Sequence, residues 1–243
     1  MDIILYSTII LISIVQSIFG VGVLLFGTPL FMLYNYDFTT TLLILLPISI
    51  TISFLQTIKN LTNIDILFFK RFLIYSIPFV IVFLAIGVQK SVNFNLITGL
   101  FLIFVSLRNS SIIIGKILKS LRNYDKISFV VMGIIHGLTN LGGSLLTAMV
   151  FNKNYLKDHM RSTIAICYAT FAIFQILTLI LVTGLDELVS YFNLSFFLVG
   201  ILSFFSAEKL IYSRMDMGKY EKSFSFFLIL SGFSLLVKNF YEY

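Results

Sequence analysis

Apolar residues do not alternate along this chain. They gather into long runs, and short polar or charged stretches separate one run from the next. The runs lie near 3–34, 39–58, 72–88, 93–115, 127–151, 160–183, 193–212 and 223–240. Most have the length of a helix that crosses the hydrocarbon core of a bilayer, about 20 residues. The separators, such as "KNLTNIDILFFKR", "GKILKSLRNYDK" and "AEKLIYSRMDMGKYEK", are too short to hide a soluble domain. The pattern predicts an all-α polytopic membrane protein whose function resides in the helical bundle. Continuous apolar runs exclude a β-barrel, which would show alternation.

Two runs are irregular. Residues 3–34 are too long for one span and too short for two, and "FGVG" (19–22) and "GTP" (27–29) interrupt them. The run 127–151 is interrupted by "NLGGS". In a helix interior glycine costs about 1 kcal/mol and proline about 3. Broken backbone at membrane depth is tolerated only where protein or a water-filled cavity covers it. Both runs are therefore expected to be broken or re-entrant hairpins.

Composition supports the membrane reading and charge decides its topology. Residues are 58% hydrophobic and 12% charged, about half the charge of a soluble domain. If all eight runs crossed the membrane, Lys and Arg would divide nine to eight, against the cytoplasmic excess that membrane proteins show. If residues 127–155 dip in and return, fifteen fall on one side and only Lys90 and Lys238 on the other. The acidic pair Asp186 and Glu187 then also lies outside. The net charge of +6 is accordingly read as a topology signal and not as a nucleic-acid surface. The start, "MDIILYSTII", lacks the basic region of a cleaved signal peptide. The single Cys167 excludes an intramolecular disulfide or a cysteine metal cluster. Absence of Trp, with abundant Ile, Phe, Asn and Lys, suggests an AT-rich genome and a prokaryotic inner membrane.

The chain also matches itself. At a shift of 120, Phe19-Gly20-Val21-Gly22-Val23 falls on Thr139-Asn140-Leu141-Gly142-Gly143. At 119, Asn35-Tyr36 falls on Asn154-Tyr155 and Gln56 on Gln175. This predicts two repeats. The first, 1–120, has hairpin 3–34 and spans 39–58, 72–88 and 93–115; the second, 121–243, has hairpin 127–155 and spans 160–183, 193–212 and 223–240. Three crossings per repeat invert the second relative to the first and leave both termini outside, an arrangement of secondary transporters.

The pattern "SIFGVGVLLFGTPLF" (17–31), followed by "YDFTTTLLILLPISI", resembles the first signature of the TauE/SafE sulfite exporter family, and "GLTNLGGSLLTAMVF" (137–151) is similar to its second copy. The resemblance implies a permease for sulfite, sulfonates or related small sulfur-containing anions, coupled to protons. Gly20, Gly22 and Pro29 keep the pattern, whereas Val23 and Leu24 stand at positions where the family often has glycine. The second copy keeps Gly137, Gly142 and Gly143 but has Asn140 and Ser144 at usual glycines and Met149 for the proline.

A helix that starts at membrane depth offers unpaired N–H groups and a partial positive charge, which suit an oxyanion. The expected substrate contacts are Gly20, Gly22, Thr28, Thr139, Asn140, Gly142, Gly143 and Ser144 around the breaks, with Gln56 and Gln175 on the spans that follow. Ser49, Thr51, Ser53, Thr163 and Tyr168 are further neutral donors. Hydroxyls of this kind also bond back to their own helices. His136, directly before the second break, is the candidate proton carrier; the alternative is a neutral imidazole that caps backbone. His159 and Arg161, at a helix start, are read as orientation signals, with Arg161 also placed to attract anions. No paired carboxylates, metal-binding pattern or nucleophile–base pair occurs within the spans, so an enzyme is not expected, nor any metal or cofactor. The expected partners are a small anionic substrate and membrane lipid, with a homodimer admitted. An anion channel or a membrane assembly factor is the competing function.

Overall fold

The computed structural model describes residues 2–90, 93, 94, 96–100, 125–151, 153 and 155–211. The expected span 223–240 and most of 93–115 lie outside the described residues. Regular structure among those residues is helical throughout: α1 (Asp2–Phe19), α2 (Val23–Leu33), α3 (Phe38–Lys59), α4 (Ile66–Tyr75), α5 (Ile77–Gln89), α6 (Asp125–Thr139), α7 (Gly143–Phe151), α8 (Lys157–Thr183), α9 (Leu185–Tyr191) and α10 (Leu194–Leu210).

Among the described residues three helices are long and apolar enough to cross a membrane: α3, α8 and the nearly continuous rod Ile66–Gln89 formed by α4 and α5; the bent pair α9–α10 makes a fourth if it is one span. The rod is interrupted at Ser76, just before Pro78, whose ring occupies the space of the carbonyl four residues back. It begins at Ile66, earlier than the expected 72, because the Asp65 carboxylate accepts the Phe68 N–H (2.9 Å) as a cap. Lys70 and Arg71 thus ride on the helix and not on the preceding connector. The acidic connector before the expected span 193–212 is itself helical: α9 meets α10 at 67°. Along α10, Leu194, Leu198, Leu202 and Phe205 form an exposed apolar stripe at helical spacing, the face a lipid chain would cover.

Both broken runs fold back on themselves. A straight helix would put Gly27 about 22 Å from Ile12, yet a Cβ added at Gly27 would lie 2.9 Å from Ile12 Cδ1. In the same way, a Cβ at Gly142 would lie 2.5 Å from His136 Cβ and 2.8 Å from Met132 O. Any larger residue at Gly142 would push α7 off α6.

Helices α3 and α8 pack against each other at the centre, with α1 laid on α10 and α6 on α5. The α5–α6 contact runs through Gly133 and Gly137, spaced as in small-xxx-small helix interfaces. A Cβ at Gly133 would strike Ser76 O, and one at Gly137 would lie 2.8 Å from Val80 O. His136 sits between these two glycines, so the same close contact that joins α5 to α6 fixes the helix turn that carries it.

Candidate functional site

The two breaks share one backbone design. Gly20 and Asn140, 120 positions apart, both adopt left-handed backbone, with φ of 75° and 62°. Glycine enters that region freely and asparagine more readily than most residues. Each closes the preceding helix by donating its N–H four residues back, Gly20 to Gln16 O and Asn140 to His136 O (both 2.9 Å). Each following helix then opens on a glycine carbonyl: Phe26 N–H donates to Gly22 O (2.9 Å) and Leu146 N–H to Gly142 O (3.0 Å). All four pairs of positions stand in the same 120-residue register.

The broken elements touch. Asn140 Nδ2 donates to Thr28 Oγ1 across 2.7 Å, tying the second break to α2. Both side chains are fully buried. Beside them His136, also fully buried, stacks on Phe171 with centroids 3.8 Å apart, and its Nε2 lies 3.1 Å from Gln175 Oε1. A carbonyl oxygen accepts, so Nε2 carries the hydrogen and Nδ1 is an acceptor. Tyr168 brings its hydroxyl against Gly143, where a Cβ would collide with it.

Several buried polar atoms here have no partner among the described residues: His136 Nδ1, Asn140 Oδ1 and Gln175 Nε2. Leaving such a group unpaired costs about 1–3 kcal/mol. His136 and Asn140 flank the second break and Gln175 lies against His136, so three such atoms gather here; Gln56 Oε1, by the first break, is another among the described residues.

The first break is different. Gln16 reaches across it: Oε1 accepts the Val23 N–H (2.9 Å), and Nε2 donates to Ser53 Oγ (2.9 Å) and Ser49 O (3.2 Å). The carbonyls at the end of α1 are also taken. Gln56 Nε2 donates to Gln16 O (2.7 Å) and Ser17 O (3.1 Å). Arg161 donates to Ser17 O (3.1 Å) and grips Glu208 with both guanidinium nitrogens, at 2.7 and 2.9 Å. Lys59 adds a further bond to Glu208 at 2.7 Å. A cation over a helix C-terminus is favourable because the last carbonyls carry partial negative charge.

The expected site residues therefore separate. Thr28, His136, Asn140, Gly142, Gly143 and Gln175 gather at the second break. Gly20 and Gly22 belong to the first, where Gln56 serves as a cap on α1. Thr139 and Ser144 turn back on their own chain, donating to Ile135 O (2.7 Å) and Leu141 O (2.8 Å). Thr163 accepts the Asp65 N–H (3.0 Å). Arg161, expected to be an orientation signal, is buried to 3% exposure and neutralised by Glu208. Gln16, Ser17, Phe171 and Glu208 were not expected. The 120-residue register does pair Gln16 with His136, so that signal is present in the sequence. Among the described residues no three of His, Cys, Asp and Glu converge as a metal site would require.

A second polar knot joins the connectors. Tyr155 donates its hydroxyl to the Asp65 carboxylate, which also faces Lys153 at 3.6 Å, and the Tyr155 ring stacks on His159 with centroids 4.1 Å apart. Burial alone would raise the Asp65 carboxyl, but the Tyr155 hydroxyl, the Phe68 N–H and Lys153 outweigh it and hold it below its ordinary value. Burial and the adjacent carboxylate push the Tyr155 phenol up.

Compared with known families, residues 5–235 match the family described as Sulfite exporter TauE/SafE. No curated protein and no solved structure matched the chain.

Proposed function

The chain belongs to the TauE/SafE sulfite exporter family of membrane transporters, and from that premise we propose that it moves a small sulfur-containing anion, sulfite or a sulfonate, by proton-coupled alternating access. In this reading the two repeats, 1–120 and 121–243, are inverted copies, both termini lie outside a prokaryotic inner membrane, and the substrate sits at the second break.

The observation that carries the reading is the set of fully buried polar atoms of His136, Asn140 and Gln175 at the second break that have no partner among the described residues. A helix start supplies N–H groups and positive potential to an oxyanion without a buried cation. Gln175 Nε2 adds a donor and Asn140 Oδ1 an acceptor for a protonated oxyanion. With Nε2 committed to Gln175, His136 presents a bare lone pair at Nδ1 that repels an anion. Protonation turns Nδ1 into a donor, so proton and anion favour each other's binding. That is the thermodynamic coupling a proton-linked carrier needs.

Sulfite, methanesulfonate and acetate, each titrated into the purified protein in detergent at pH 6 and pH 8, test this. The expected result is a rise in melting temperature with the sulfur anions, larger at pH 6, and none with acetate. Equal, pH-independent responses to all three would remove the site and the coupling together.

A further inference from the structure

The two breaks share a backbone but not a cap. At the first, the Gln16 carboxamide oxygen holds the Val23 N–H at 2.9 Å, the leading amide of α2. The carboxamide cannot swing away freely, because its nitrogen is anchored on Ser53 Oγ and Ser49 O. In the 120-residue register Gln16 corresponds to His136 and Val23 to Gly143. There the pattern reverses. Among the described residues no side chain bonds the Gly143 N–H. His136 Nδ1 and Asn140 Oδ1 are fully buried and have no partner among the described residues. The His136 ring is pressed against the N-cap of α7, its Cγ 3.1 Å from a Cβ placed on Gly142. The anchor differs as well: the counterpart of Ser53 at a shift of 119 is Ala172, and Gln175 Oε1 faces His136 Nε2 instead.

A carboxamide oxygen accepts from a helix-start N–H as an oxyanion oxygen does, but without net charge. We propose that Gln16 is an internal stand-in for the substrate anion. It closes the first break permanently, so that a chain with two anion-type helix starts binds one anion, at the second. The inference rests on the transport reading above, and it makes a single side chain the reason for one bound anion per chain.

Two variants test it, with sulfite as the probe in calorimetric titration and in sulfite exchange across proteoliposomes. The wild type should bind one sulfite per chain. Gln16→Ala uncovers the Val23 N–H and should raise the stoichiometry to two. His136→Gln places the same stand-in at the second break, where Gln175 Oε1 can take its amide nitrogen. It should abolish both sulfite binding and exchange while the protein still folds and melts cooperatively. A stoichiometry of one in well-folded Gln16→Ala overturns the proposal. So does retained exchange in His136→Gln with only its pH dependence lost, which would make His136 a proton carrier alone and leave the transport function standing. If the wild type binds neither sulfite nor a sulfonate, the functional reading itself falls and the stand-in with it.

Discussion

Asn140 carries two separable duties. Its backbone is left-handed (φ 62°), and its side chain donates to Thr28 while Oδ1 has no partner among the described residues. Glycine satisfies the first duty and not the second. Asn140→Gly should therefore keep the fold, with unfolding free energy changed by about 1 kcal/mol, while sulfite affinity falls at least tenfold. Asn140→Val should lose both, since a β-branched residue resists this backbone. Circular dichroism melts beside binding isotherms distinguish the two. At the connector, Asp65 ionises more readily folded than unfolded. Its contribution to stability is present above the ordinary carboxylate range, near pH 4, and is lost as pH falls through its lower folded value. Tyr155→Phe removes the main bond that lowers it, so the acid limb of the stability profile should flatten in that variant. An unchanged acid limb would show that the Tyr155 hydroxyl does not lower the Asp65 carboxyl.

At the scale of elements, the end of α1 is held by charge that has left water. Arg161 and Glu208 are 3% and 9% exposed. Removing one partner of a buried pair costs about 3–5 kcal/mol because the other is stranded. Glu208→Gln should thus destabilise the protein by about 3 kcal/mol, and Arg161→Met/Glu208→Leu should recover much of the loss. Lys59 is 60% exposed, and Lys59→Met should cost no more than about 1 kcal/mol. Denaturant unfolding in detergent checks the series. The sequence made the breaks legible through "FGVG" and "NLGGS", because glycine clusters in apolar runs have few other uses at membrane depth. It did not make this charge network legible. Arg161 and Glu208 each stand near a span end, where Lys and Arg ordinarily mark orientation, and only tertiary packing brings them onto the carbonyls of Ser17. The helix boundary at Ile66 was missed for a similar reason: Asp65 caps through a local bond, while Lys70 and Arg71 read as connector.

For the molecule as a whole, the charge count reads residues 127–155 as an element that enters and returns. Lys126 and Asp158, both exposed in the structure, should then be labelled from the same face when each is changed to cysteine in a Cys167→Ser background. Labelling from opposite faces would contradict the re-entrant reading. Most helix identities followed from hydropathy, whereas the central α3–α8 packing came only with the structure. The candidate site was legible at Asn140, His136, Gly142 and Gly143, singled out by the break and its 120-residue match, and at Gln175, which matches Gln56 at a shift of 119. The difference between the two breaks was not, because it depends on where the Gln16 carboxamide points. In the proposed function a sulfur oxyanion crosses the membrane through the second break. Uptake of radiolabelled sulfite into proteoliposomes, driven by an inward proton gradient, measures it most directly. Wild-type protein should concentrate sulfite above the level of protein-free vesicles, and Asn140→Gly should not. Uptake by the wild type no greater than in empty vesicles, or equal uptake by the variant, would contradict it.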